Sequence, residues 1–193
     1  GDFKKNVLLE TDKLKTGIFY GNSGTGKTKL YEECLNVAKI NGYEIIEFGN
    51  MLNAEKTLFA SDFIQKLLIA IYNISLDALE QILKATTFCD ESNDFLLKQP
   101  EYRMLADIFI KNNTNDLKVW LDQYLNLIVT KLAKNKYLIA IDNVQFLNDS
   151  ILDLIDSIFH QLTRIRPCYT KFLLTFNVDY IKRNSRADQL LGT

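Results

Sequence analysis

The sequence predicts an α/β domain of three layers, with helices on both faces of a parallel sheet. Three observations predict it. TGIFY (16–20) is β-branched and aromatic and runs into a glycine cluster, as a buried strand does. Lys27 to Ile40 then carries apolar residues at helical spacing, and YEIIEF (43–48) reads as a second strand. A later apolar run, YLIAID (137–142), looks like a strand buried on both faces, which is the habit of parallel sheets. Strand, helix, strand in that order is the βαβ unit from which such sheets are built.

Each element has its own signal. The first helix places Leu30, Cys34, Leu35, Val37 and Ala38 on one side, and Gly42 stands at a helix-stop position. From about Leu58 to Ile74 the chain is strongly apolar (FASDFIQKLLIAIYNI), with Ser61 and Asp62 as early capping residues. Residues 75–115 are less regular. A short helix from Leu76 to Ala85, the polar CDESND and Pro100 read as a helical insertion between strands 2 and 3. Asp116 to Lys134 forms a long helix with Leu117, Trp120, Leu121, Tyr124, Leu125, Ile128, Val129 and Leu132 on one face. After YLIAID, Asn148 or Asp149 caps a helix from Ile151 to Leu162, and Ser150 with Asp153 has capping-box spacing. KFLLTF (171–176) is the fourth strand, ending at Asn177, and 179–191 reads as helical. The first strand is expected at the centre of the sheet, flanked by the strand that ends at Asn177.

Composition sets bounds. The 193 residues suit one domain, 1–193, whose 47% hydrophobic content is enough for a real core. With 23 basic and 24 acidic residues the net charge is −1, so there is no nucleic-acid signature. No apolar run approaches the roughly 18 residues of a membrane span, and the N-terminus lacks the apolar stretch of a secretion signal. Cys34, Cys89 and Cys168 are scattered, which reads as reduced cytoplasmic thiols, and the lone His160 is read as structural. A first residue of glycine and a Leu-Leu-Gly-Thr end suggest a fragment of a longer protein, with lid and C-terminal domains beyond it.

The chemistry is concentrated in three places. Gly21-Asn22-Ser23-Gly24-Thr25-Gly26-Lys27-Thr28 matches GxxxxGK[ST] at every fixed position, between a strand and a helix. Its glycines let backbone N–H groups turn toward a phosphate chain, and the helix start adds positive potential. Lys27 supplies charge for the β- and γ-phosphates, and the Thr28 hydroxyl is suited to ligate Mg²⁺. Asp142, at the end of YLIAID, is the second expected metal ligand. Asn143 follows it where many hydrolytic relatives hold glutamate. An amide holds a water but takes no proton, so hydrolysis is expected to be slow unless another carboxylate, such as Asp149, substitutes. On that view Asn143→Glu is expected to raise hydrolysis. Asn177, at the fourth strand's end, can reach the γ-phosphate or the attacking water. Arg183 and Arg186 are read as a solvated helix face.

GIFYGNSGTGKTKL, LIAIDNVQFLNDSILDLID and KFLLTFNVD, in this order, resemble the STAND branch of P-loop NTPases, relatives of AAA+ ATPases. The resemblance spans Lys15 to Asn177, with specificity confined to these three blocks. It implies the additional-strand (ASCE) form of the P-loop fold, with 21–28 as Walker A, Asp142 as Walker B and Asn177 as sensor 1. It implies an ATP/ADP switch with Mg²⁺, homo-oligomerisation through the nucleotide domain, and effector and sensor domains elsewhere in the chain. Bacterial members include anti-phage defence proteins. Two alternatives stay open: an AAA+ origin-binding or clamp-loader-like ATPase, and a scaffold that binds ATP without hydrolysing it. A GTPase lacks support, since Asn135-Lys136 is followed by Tyr137-Leu138 with no guanine-reading aspartate.

Overall fold

Four strands form one sheet: β1 (Lys15–Gly21), β2 (Glu44–Phe48), β3 (Tyr137–Ile141) and β4 (Lys171–Asn177). Their order is β1-β4-β3-β2, and every neighbouring pair is parallel. The computed structural model describes residues 3–10, 12–48, 60–75, 77–78, 80–81, 100–110, 114–183 and 185–191. Among these, β1 is an edge strand. It does flank β4, but it is not central as expected, because no described residue pairs with its outer side.

Parallel neighbours need crossovers, and helices supply them. α1 (Lys27–Ile40) joins β1 to β2 and α5 (Asp149–Leu162) joins β3 to β4, while α2 (Ala60–Tyr72), α3 (Pro100–Ile110) and α4 (Thr114–Lys134) lie between β2 and β3. Side chains alternate across a strand. Leu138, Ala140 and Leu173 therefore share one face, where they pack with Tyr31, Cys34, Leu35 and Ala38 of α1. Phe172 points the other way and meets Phe159 of α5, ring centroids 5.4 Å apart. Helices thus cover both sides of the sheet, as a three-layer arrangement requires. α5 buries Ile151, Leu152, Leu154, Ile155, Ile158 and Leu162 on its inner stripe, each worth about 1.5–3 kcal/mol on removal from water. Its N-cap is Asn148, whose Oδ1 accepts the Ile151 N–H at 2.9 Å.

The chain separates into two compact units, Gly1–Leu58 with Val129–Thr193, and Phe59–Ile128. The second is helical. In it Phe63, Ile64, Leu67, Leu68 and Ile71 of α2 are buried, as are Met104, Leu105 and Ala106 of α3, and Tyr124 donates to Asp107 at 2.5 Å. α3 was not foreseen in the 75–115 stretch. Proline at its first position lacks only an N–H that no helix uses there, and fits a helix start. Most of the expected helix from Leu76 to Ala85 lies outside the described residues. The expected helix over 179–191 is two pieces, a 3₁₀ turn at Val178–Tyr180 and α6 (Arg186–Leu191). Asn177 Oδ1 accepts the Asp179 N–H and holds the first, while Ser185 Oγ accepts the Asp188 N–H and starts the second.

At the amino end of β4, Lys171 is fully buried and donates to the carbonyls of Lys13 and Cys168, both at 2.9 Å. Among the described residues no helix is long and apolar enough to cross a membrane. Cys34 and Cys168 are free and buried.

Burial, before any charged neighbour, raises the pKa of Tyr31, Tyr43 and Tyr137 above the ordinary 10.0. A raised native pKa gives stability that is whole below pH 10 and is lost as pH climbs through the native values. Lys171, lowered by burial from 10.5, runs the opposite way, but it stands against these three and against Tyr124, Cys34 and Cys168, which burial also raises. The denaturation midpoint should therefore be lower at pH 11 than at pH 8; a rise would contradict these assignments.

Candidate functional site

The carboxyl ends of β1, β3 and β4 meet at one end of the sheet, where ligands of open α/β sheets bind. Residues 21–28 leave β1 there and enter α1. Gly24 and Gly26 have φ of +77° and +82°, a region that glycine enters freely. A Cβ on either would meet nothing within 4 Å, so the backbone conformation demands glycine and the space beyond is open. Gly26 is the N-cap of α1 and makes no side-chain cap, and the first turn holds no acidic residue. Among the described residues, no protein acceptor takes the backbone N–H of Gly24, Thr25, Gly26, Lys27 or Thr28. Five consecutive unclaimed donors at a helix start carry positive potential and call for an anion.

Lys27 folds back over this loop. Its Nζ donates to the carbonyls of Gly21 at 2.8 Å and Asn22 at 2.5 Å, and lies 3.3 Å from Thr25 Oγ1. Thr25 Oγ1 itself donates to the Asn22 carbonyl at 2.9 Å. The lysine therefore braces the turn while its charge stays at the loop's mouth. One anionic group is already present. The Asp179 carboxylate accepts the Ser23 N–H at 2.8 Å and the Asn22 side-chain amide at 2.9 Å.

Asp142 follows β3 and is 5% exposed. The Thr175 hydroxyl donates to one of its oxygens, and Asn143 Nδ2 donates to the other at 2.9 Å. The Asn143 N–H donates to Thr175 Oγ1 at 2.8 Å. Asn143 sits at φ +58°, a left-handed conformation that asparagine tolerates better than most residues. Its Oδ1 accepts from Gln145 Nε2 at 3.1 Å, the Asn177 N–H donates to Gln145 Oε1 at 3.0 Å, and Asn177 Nδ2 donates to Ser23 Oγ at 2.8 Å. An unbroken chain of hydrogen bonds thus runs from Asp142 through Asn143, Gln145 and Asn177 to Ser23 in the glycine loop.

Sequence reasoning named both ends of that chain. The fold brings together Asn22, Ser23, Thr25, Lys27, Asp142, Asn143 and Asn177, and Gly21 pairs in register with Asn177. Thr28 is exposed on the first turn of α1, where no described contact joins it to Asp142. Asp149 is exposed at the start of α5 and Arg186 is paired with Asp153 and Asp156, both at 2.8 Å, so neither joins the cluster. Three participants were missed. Thr175 was visible as a hydroxyl inside an apolar strand, Gln145 as the polar residue two after Asn143, and Asp179 as a carboxylate two after Asn177. The Tyr31 hydroxyl, on the buried side of α1, is held neutral by burial and then by the negative charges of Glu47 and Asp142, which raise its pKa.

The chain is therefore a parallel α/β protein with a polar cluster at the carboxyl ends of three strands. No family model, curated protein or solved structure matches it.

Proposed function

We propose that this cluster binds ATP with Mg²⁺, making the chain a P-loop NTPase domain of the additional-strand type. The observation that carries the reading is the row of unclaimed N–H groups from Gly24 to Thr28, with the Lys27 ammonium beside them. Such a row fits the oxygens of a polyphosphate, and the lysine adds charge-assisted bonds. The order β1-β4-β3-β2 supports it, since β4 inserts between the loop strand and the Asp142 strand. Thr28 and Asp142 offer one hydroxyl and one carboxylate, hard oxygen donors that suit Mg²⁺, which keeps most of its remaining ligands as water and phosphate. Bound there, the ion would offset phosphate charge; among the described residues no protein-only metal cluster occurs.

By resemblance, the proposal extends to a STAND-type switch in the cytoplasm, with slow hydrolysis and ATP-controlled homo-oligomerisation serving flanking sensor and effector domains, as in anti-phage defence. The hydrogen-bond chain from Asp142 to Ser23 supports a switch, because it links the metal side of the site to the loop. The alternative of a non-hydrolysing scaffold draws on Asn143, whose amide is already committed to Asp142. Thermal-shift measurements with Mg·ATP, Mg·GTP and buffer test the binding. Saturation at a hundred times Kd stabilises by about 2.7 kcal/mol, so ATP should raise the melting temperature by several degrees. No shift at millimolar Mg·ATP would overturn the proposal.

Asp179 gives a second test. Its carboxylate holds the Ser23 N–H and sets a negative charge at the loop that phosphate must approach. Asp179→Asn keeps an acceptor and removes the charge, so titration calorimetry should find Mg·ATP bound several-fold more tightly. Weaker binding would mean that the carboxylate's charge supports the loop more than it opposes the ligand.

A further inference from the structure

We infer that Glu47 is the carboxylate that accepts the proton of the attacking water, the role that Asn143 cannot fill. This rests on the nucleotide reading above and deepens it.

The argument begins with register. β2 runs parallel to β3, and Glu47 pairs with Ala140, two residues before Asp142. Alternation along the strands puts Glu47, Ala140 and Asp142 on one face. Ala140 packs under α1, and so does Ile45, two residues before Glu47, so this is the face that carries the glycine loop's helix. Ile46 and Phe48 point away and are buried, whereas Glu47 is exposed to solvent. β2 thus presents an exposed carboxylate one strand over from Ala140, two residues short of Asp142, on the face that α1 covers.

A second observation lies on the same face. Tyr31 lies on α1 one turn beyond Lys27 and is 3% exposed, and its hydroxyl has no hydrogen-bond partner of proper geometry. Burial raises its pKa first, then the charges of Glu47 and Asp142, and Glu47 also bears on it as a hydrogen-bond acceptor. A buried hydroxyl is rarely left unpaired without a polar occupant nearby to complete it. In this proposal the attacking water completes that hydroxyl on the side from which the Glu47 and Asp142 charges act.

The other carboxylates named at the site are committed or misplaced. Asp142 has both oxygens engaged by Thr175 and Asn143. Asp179 is held by Asn22 and Ser23. Asp149 begins α5, the helix on the opposite face of the sheet.

The step balances with water as the only co-reactant. The water oxygen forms a bond to the γ-phosphorus, and the bond from that phosphorus to the β–γ bridging oxygen breaks. The bridging oxygen keeps the electron pair and leaves on ADP. The water's proton passes to the Glu47 carboxylate and from there to solvent, leaving inorganic phosphate.

The test pairs calorimetry of Mg·ATP binding with single-turnover release of phosphate, for the native chain, Glu47→Gln and Glu47→Asp. Glu47→Gln should bind Mg·ATP within about twofold of native and melt at the same temperature, while hydrolysis falls by about 10²-fold or more, the usual worth of a general base. Glu47→Asp, one methylene short, should fall between. Unchanged hydrolysis in Glu47→Gln overturns the assignment, as does loss of binding in that variant, which would make Glu47 a binding or structural group. A native chain that binds ATP and never hydrolyses it also overturns the assignment and leaves nucleotide binding standing. A native chain that binds no ATP removes the nucleotide reading and this inference together.

Discussion

Lys27→Ala should cost Mg·ATP affinity a factor of about 10² to 10³ by titration calorimetry. In the structure the Nζ is held by the carbonyls of Gly21 and Asn22, at the mouth of a loop whose N–H groups from Gly24 to Thr28 are unclaimed among the described residues. A hydrogen bond to a charged group is worth about 1.5–3 kcal/mol, so losing one or two such bonds to phosphate oxygens accounts for that range. No other cation contacts the loop among the described residues, so nothing duplicates the charge. The same side chain braces the turn, and its removal should lower the melting temperature slightly as Gly21 and Asn22 lose a donor. An affinity within threefold of native would show that the lysine serves the turn alone.

Asp142→Ala should fail in two ways that can be separated. Both carboxylate oxygens accept hydrogen bonds, from the fully buried Thr175 hydroxyl and the nearly buried Asn143 amide. Truncation strands both donors, at about 1–3 kcal/mol for each, so a marked drop in melting temperature is expected. Asp142→Asn keeps an acceptor for Thr175 and should melt closer to native. Both variants should lose the part of ATP affinity that depends on Mg²⁺, measured by titration with and without chelator. If Asp142→Asn keeps a full Mg²⁺ dependence, the metal is held elsewhere.

The geometry also changes what Asn143→Glu should do. As a bare sequence position, a glutamate there promises a base and faster turnover. In place, Asn143 donates to Asp142, accepts from Gln145 and holds a left-handed φ. Glutamate would set two carboxylates side by side at a buried position and break the hydrogen-bond chain toward Ser23. Lower stability is expected to accompany any gain in rate.

Strands were legible because their apolar runs are bounded by glycine, asparagine and aspartate. TGIFY, YEIIEF, YLIAID and KFLLTF each fall within about a residue of an observed strand. The glycine loop was legible because its spacing is a local property of eight residues. What escaped was set by register. Nothing in YEIIEF says that Glu47 pairs with Ala140, two residues before Asp142, since that follows from β2 pairing with β3 across almost ninety intervening residues. Asp179 meets Ser23 only because β4 lies alongside β1. The position of β1 at the edge of the sheet, among the described residues, was likewise beyond local patterning. Strand order is decided by crossovers, and apolar runs do not record it.

The central claim is that the backbone from Gly24 to Thr28 cradles a phosphate chain. It is tested most directly by following the amide resonances of those five residues in ¹H–¹⁵N spectra during titration with Mg·ATP. The five should shift together and saturably in the native chain and need about 10²- to 10³-fold more Mg·ATP to do so in Lys27→Ala. Amides that do not move at millimolar Mg·ATP, or shifts confined to another part of the chain, would contradict the account.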